Sequence, residues 1–230
     1  MPRGSAEGLP TLEGMPTPEQ TRVFRRRRAV VAAAALAVLV AGGATIAWAV
    51  GQQDSAASGV PAFDTSGLSR PVAAQLEYAH AHWDDPDAER FGVIDENDCV
   101  NFTSQTLLAR GWTTDDEWWY DENGDAYASS GAWISSTMLR DYLARHPERA
   151  TPLTDDQRDQ VKVGDIVQFD WDDSGDRDHT GIITAVVTEA DGSIDLEYAG
   201  HTDATWNRSV EWSITEQHPH GVAYYWSIPE

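Results

Sequence analysis

The chain has 230 residues, with 16 basic against 38 acidic side chains and a formal net charge of −22 at pH 7. Phosphate binding needs a cationic face, so this balance excludes nucleic acid as a partner, and it argues against adhesion to anionic lipid or anionic wall polymers. A single cysteine, Cys99, excludes a disulfide framework within the chain.

Residues 1–28 hold six arginines against three acids among scattered Pro and Gly, and read as a disordered cytoplasmic tail. Residues 29–50 carry no charge. At ~1.5 Å rise per residue such a helix spans about 33 Å, enough to cross a hydrocarbon core of about 30 Å. Arg25, Arg26, Arg27 and Arg28 precede it and no basic residue follows until Arg70, so the positive-inside rule places the tail in the cytoplasm and the remainder outside. The bilayer is then one partner, reached through a single transmembrane helix. The alternative is a secreted product of signal cleavage near Ala49, in the small-x-small run Ala47-Trp48-Ala49. The apolar run exceeds the roughly 7–15 residues of a signal core, which favours an uncleaved anchor. Residues 51–69 are small and polar and read as a flexible linker. Beyond residue 50 the chain carries 10 basic and 35 acidic residues, a net charge of −25, which serves solubility.

Residues 70–230 have the length of one domain with a real core. Pro71 opens a helix in which Val72, Leu76, Ala79 and Trp83 share a face. Asp98 is a good N-cap for a second helix, in which Val100, Leu107 and Leu108 recur at helical spacing and Gly111 supplies a stop. Cys99 then falls in the first turn, where free N–H groups and the helix dipole favour the thiolate. Outside the cytoplasm an unpaired cysteine points to nucleophilic chemistry; the competing reading is a small buried core residue. Trp112 to Gly131 reads as a long acidic, aromatic loop, in which Trp118 and Trp119 suit stacking on a glycan, although core packing is the commoner use of tryptophan. Ser135 or Ser136 caps a third helix containing Met138, Leu139, Tyr142 and Leu143, which ends before Pro147.

From Gly164 the hydrophobic period changes to two. Strands are predicted over Asp165–Phe169, His179–Thr188, Ile194–Tyr198, Ser209–Ile214 and Val222–Ile228, with a hairpin turn at Ala190-Asp191-Gly192. Helices first and an antiparallel sheet second describe an α+β domain. The hairpin brings His179 and the region of His201 to one end, giving a thiol the imidazole it needs and a candidate third polar group. His80, His82, His146, His218 and His220 read as structural or surface residues; His218-Pro219-His220 lacks further ligands at a zinc-like spacing. The acidic run Asp170, Asp172, Asp176 and Asp178, with Gly175 sixth, looks like the start of an EF-hand calcium loop, but Gly181 stands where the bidentate Glu belongs. A solvated acidic turn is the competing reading.

The succession Asp-Cys-x-Asn-Phe-x-Ser-Gln at Asp98–Gln105, Gly-Asp-x-Val-Gln-Phe-Asp at Gly164–Asp170, Asp-His-x-x-Ile from Asp178 and His-Thr-Asp at His201–Asp203 resembles the putative amidase domain of bacterial wall proteins. That family belongs to the NlpC/P60- and CHAP-like, papain-related cysteine hydrolases. Tyr78-Ala79 with Trp83, Trp133–Leu143, Asn207–Ser209 and Tyr224-Tyr225 also fit, so the resemblance covers nearly all of residues 70–230. It implies a papain-like α+β fold and hydrolysis of peptidoglycan amide bonds, with no cofactor required. By position Cys99 is the implied nucleophile and His179 the general base. His201 is the implied third member with Asp203 its rival, and Asp98, Asn101 and Gln105 support the helix turn or a substrate amide. The competing class of function is a non-catalytic wall-binding or scaffolding module that keeps the fold.

Overall fold

The computed structural model describes residues 64–230. The predicted tail, the apolar segment 29–50 and the first part of the predicted linker lie outside the described residues. Among the described residues no helix is long and apolar enough to cross a membrane. Leu68, inside the predicted linker, packs against the core.

The first helix, α1 (Arg70–His82), carries Pro71 in its first turn, where a missing N–H costs nothing, and buries Val72, Leu76 and Ala79. A short α2 (Ala88–Phe91) follows and stops at Gly92, whose φ of +66° suits glycine. Next comes α3 (Cys99–Arg110), which ends where Gly111 adopts φ +108° and donates its N–H to Leu107 and Leu108. Nearly every residue of α3 is buried, the polar Asn101, Thr103, Ser104, Gln105 and Thr106 included. A buried polar side chain must be paired, and most of these are: Ser104 Oγ donates to Trp133 O at 3.3 Å, Thr106 Oγ1 to Thr103 O at 2.7 Å, and Gln105 Oε1 accepts from Tyr78 OH at 2.8 Å. The predicted loop 112–131 is present, interrupted by one 3-10 turn at Ala126–Ala128. After α4 (Gly131–Ile134), Ser135 caps α5 (Ser136–Arg145) by accepting from Met138 N.

Six strands form one antiparallel sheet in the order β1-β6-β2-β3-β4-β5: β1 (Thr151–Thr154), β2 (Ile166–Asp170), β3 (His179–Thr188), β4 (Ile194–Gly200), β5 (Thr205–Ser209) and β6 (Val222–Ser227). Pro152 is tolerated because β1 is an edge strand. The sheet is covered on both faces. Ile166, Ile182 and Trp226 join Leu76, Val100, Leu107 and Trp133 on the helical side. Val167, Phe169, Ile183, Leu196, Tyr198 and Tyr225 form a second cluster on the other side. All five residues of β2 are therefore buried.

The predicted strand Ser209–Ile214 needs correction. The strand runs over Thr205–Ser209, Ser209 then caps a helical turn by accepting from Trp212 N, and Val210–Gln217 is helical. Val210, Trp212 and Ile214 alternate in sequence, but only Val210 and Ile214, four apart, turn inward, while Trp212 stays exposed. The α+β architecture with helices grouped on an antiparallel sheet stands as expected.

Candidate active site

Cys99 is the first residue of α3 and is wholly buried. Its Sγ lies 3.5 Å from Asn97 Oδ1, to which the thiol donates, and 3.6 Å from Ser136 Oγ. Backbone N–H groups of Thr180 and Val100 also point at the sulfur. These donors favour the thiolate, but burial outweighs them and pushes the thiol above its ordinary range, with the Asp98 carboxylate adding to the rise. The thiolate expected from a helix start is thus overridden by desolvation.

Thr180 links the thiol to β3: its hydroxyl lies 2.9 Å from Ser136 Oγ. The preceding residue is His179, the first of β3. Successive side chains of a strand point to opposite faces, and the imidazole lies on the side of Phe169 and Tyr198, with ring centroids 5.9 and 6.1 Å away. It also faces Trp171 at 5.9 Å, and Trp171 in turn stacks on His218 at 4.0 Å. A small pocket of about 150 Å³ joins Trp171, His179, Asp203, Arg208 and His218. Burial, then the charges of Arg208 and His218, push the imidazole down to about 4, against a smaller upward pull from Asp203. The sulfur therefore reaches the start of β3 through Ser136 and Thr180, whereas the His179 ring lies on the opposite face of that strand, and among the described residues no hydrogen bond joins the two.

His201 is held elsewhere. Its Nδ1 lies 2.6 Å from Asp98 Oδ2, its Nε2 lies 2.7 Å from the carbonyl of His82, and its ring stacks on Phe102 at 4.1 Å. Both nitrogens face oxygen acceptors, so neither is free to orient His179. Asp98 occupies the N-cap position of α3 but makes no side-chain capping bond. Its carboxylate instead accepts from Ile94 N at 2.8 Å and Asn101 Nδ2 at 2.9 Å, besides His201. Asn101 also accepts from Trp133 Nε1 at 2.8 Å. Asn101 and Gln105 are both buried and internally bonded, which takes them away from a substrate amide. Asp203 is exposed and paired with Arg208 Nη1 at 2.6 Å.

Trp118 is wholly buried, donates from Nε1 to Ser104 Oγ at 3.1 Å and lies 4.7 Å from the Trp133 ring. It is a core residue, not a stacking platform; Trp119, 39% exposed, stays on the surface. Asp170, Asp172, Asp176 and Asp178 do converge, with a ligand atom of each within 4.8 Å of the others. Their oxygens accept from the turn itself: Asp170 from Ser174 N and Gly175 N, Asp172 from Ser174 N, Asp176 from Ser174 Oγ and Asp178 from Trp171 N. Arg177 Nη1 lies 3.7 Å from buried Asp170 and brings a positive charge to the cluster.

Residues 70–225 match the family described as Putative amidase domain. The chain belongs to that family. No curated protein and no solved structure matches it. The matched span of the amidase domain contains Cys99, His179, His201 and Asp203, and the family supports amide hydrolysis as the class of reaction. Sequence reasoning missed Asn97, Ser136 and the Thr180 N–H around the sulfur, and Trp171, Arg208 and His218 around the imidazole. Ser136 had a visible signal as the neighbour of a helix cap. Trp171 and His218 had none, because 47 residues separate them in the chain and only the sheet brings them together.

Proposed function

We propose that this amidase is cysteine-dependent, cleaves amide bonds of peptidoglycan peptides, and works at the outer face of the membrane through an anchor at residues 29–50. The seat of the sulfur carries the reading: Cys99 opens a buried helix, and its Sγ lies 3.6 Å from Ser136 Oγ, which the hydroxyl of Thr180, next to His179, reaches at 2.9 Å. Sγ attacks the scissile carbonyl carbon while its proton passes to His179. The imidazole returns that proton to the leaving amine as the C–N bond breaks, leaving a thioester. Water, deprotonated by the same imidazole, hydrolyses the thioester to a carboxylate and restores the thiol. The N–H of Cys99, at a helix start, has no intrahelical acceptor and serves as one oxyanion donor. To reach the sulfur the His179 ring has to leave the Trp171 face of β3 and cross to the helical face at the strand's first residue, where no side-chain hydrogen bond among the described residues holds it. Asp203, on the pocket of His179, takes the orienting role.

A groove of about 550 Å³ is lined by Ile94, Asp95, Asn97, Tyr127, Ile134 and Ser135 among others, and reaches the sulfur only through Asn97. One wall holds Asn97, which accepts from the thiol, and the other ends one residue before Ser136. Tyr127, 65% exposed, offers a ring face there, and the groove is the proposed path of the peptide. One observation favours a second reading: a wholly buried thiol with a raised pKa and no bonded imidazole also suits a non-catalytic wall-binding module. The test is to incubate the full-length chain and Cys99→Ala with purified peptidoglycan and to weigh released fragments by mass spectrometry. Fragments with wild type alone support the amidase, and their masses name the bond. Pelleting with the wall without release supports the binding module, and the absence of both release and pelleting refutes peptidoglycan as the substrate.

A further inference from the structure

We infer that His201 is a positioning residue that acts on Cys99 through Asp98, and not an orienting partner of His179. The inference rests on the cysteine-amidase reading above. Four side chains and one carbonyl meet at the start of α3 in one chain of hydrogen bonds. Trp133 Nε1 donates to Asn101 Oδ1 and Asn101 Nδ2 to Asp98 Oδ1, while His201 pairs through Nδ1 with Asp98 Oδ2 and through Nε2 with the carbonyl of His82 at the end of α1. Asp98 and His201 are each only 4% exposed.

The backbone is gripped as well. Asp98 N donates to Thr202 Oγ1 at 3.1 Å, and Thr202 holds a φ of +75°. That conformation is unfavourable for a β-branched residue and persists only where surrounding contacts over-determine it. The His201-Thr202 corner therefore binds Asp98 twice, once at its carboxylate and once at its N–H. Asp98 is covalently joined to Cys99, so a shift of this corner is passed directly to the sulfur and to the Cys99 N–H. His179 lies outside the chain of bonds: its ring neighbours are Phe169, Trp171 and Tyr198. The clasp thus sets where the sulfur stands, and the other side of the sheet sets how the imidazole titrates.

The test uses the full-length chain with Asp98→Asn, His201→Gln, their double variant and Thr202→Val, which removes only the acceptor for Asp98 N. Far-UV circular dichroism monitors folding. Misplacing a reacting group by about 1 Å costs on the order of 10²-fold. Each of the first two variants is expected to lower kcat for fragment release by that factor with KM little changed. The double variant should be no worse than either single one, and the acid limb of the pH profile should stay where wild type has it. Thr202→Val should give a smaller loss of the same kind, and it decides the matter if the clasp variants fail to fold. Iodoacetamide should alkylate Cys99 at least about tenfold faster in each folded clasp variant, as the turn loosens. An acid limb moved by His201→Gln, losses that multiply in the double variant, or an unchanged kcat would overturn the inference. Should wild type release nothing, the amidase reading fails by itself. Alkylation then judges the clasp: equal, non-additive acceleration upholds it and unchanged rates overturn it.

Discussion

Replacing Trp118 by alanine separates a core role from a substrate role. A tryptophan buries about 150–250 Å²; at about 25 cal/mol per Å² of apolar surface, 200 Å² corresponds to about 5 kcal/mol. The bond from Nε1 to Ser104 Oγ contributes about 1 kcal/mol more, and residual compactness of the unfolded chain trims the total. The expected loss is about 3–5 kcal/mol, the range measured for removing a large aromatic side chain from a core. In a domain of this size each kcal/mol moves Tm by about 2–4 °C, so Trp118→Ala should melt about 10 °C below wild type. Trp118→Phe should recover most of that, short by the lost bond to Ser104 Oγ, whose own hydroxyl still donates to Trp133 O. Trp119→Ala should change stability by less than about 0.5 kcal/mol, as an exposed position does. Thermal and urea unfolding followed by circular dichroism, with an unchanged m value, give the numbers. If Trp118→Ala melted within about 2 °C of wild type yet lost fragment release, the core assignment would be refuted and the glycan-stacking role restored.

Four further outcomes are expected. His179 has a folded-state pKa depressed to about 4, below about 6.5 for an unfolded histidine, so below about 6.5 the unfolded state takes up a proton that the folded state refuses. Stability therefore falls as pH drops from about 6.5 to about 4, by at most about 3 kcal/mol; His179→Gln should flatten that segment of the Tm-against-pH curve, and a parallel curve would contradict the shift. Arg208 helps hold His179 down, so Arg208→Gln should move the acid limb of fragment release to higher pH, and an unmoved limb would remove Arg208 from the account. Gly92→Ala would put a Cβ 2.5 Å from Gly124 O at φ +66°, whereas Gly111→Ala at φ +108° meets nothing within 4 Å; the first should cost at least about 3 kcal/mol and the second about 1 kcal/mol in urea unfolding, and equal costs would mean the contact relaxes. Because Arg177 already supplies positive charge to the acidic turn, calcium at millimolar concentration should shift Tm by less than about 1 °C, and a shift of several degrees would establish a cation site.

Local signals were the legible ones. Pro71, Gly111 and Ser135 marked the ends of α1, α3 and α5 because caps and stops act within one turn of chain. The β3–β4 hairpin was legible because Asp191-Gly192 encodes its own turn, with Gly192 at φ +90°. What failed depended on distant partners. Asp98 reads as a cap in one dimension, but the imidazole of His201, 103 residues away, claims its carboxylate. Cys99 reads as a helix-start thiolate until Ser136 and β3 close over it and desolvation takes control. Trp118 and Trp119 are identical neighbours in sequence, and only partners distant in the chain, the Trp133 ring and Ser104 among them, distinguish the buried one from the exposed one. For His179, the sequence supports a position on the right strand, but the face it points to follows from register, which a single chain read linearly does not contain.

The strand order has a consequence for synthesis. Strand β6 lies between β1 and β2, so these two have no pairing partner on their shared side until residues 222–227 exist. A ribosome adding about 5–20 residues per second needs several seconds to travel from Thr154 to Val222. Throughout that interval the edges of β1 and β2 are open and Val167 and Phe169 lack the cover of Tyr225. The sheet therefore cannot close until its last strand is made, and the open edges stay exposed to aggregation until then.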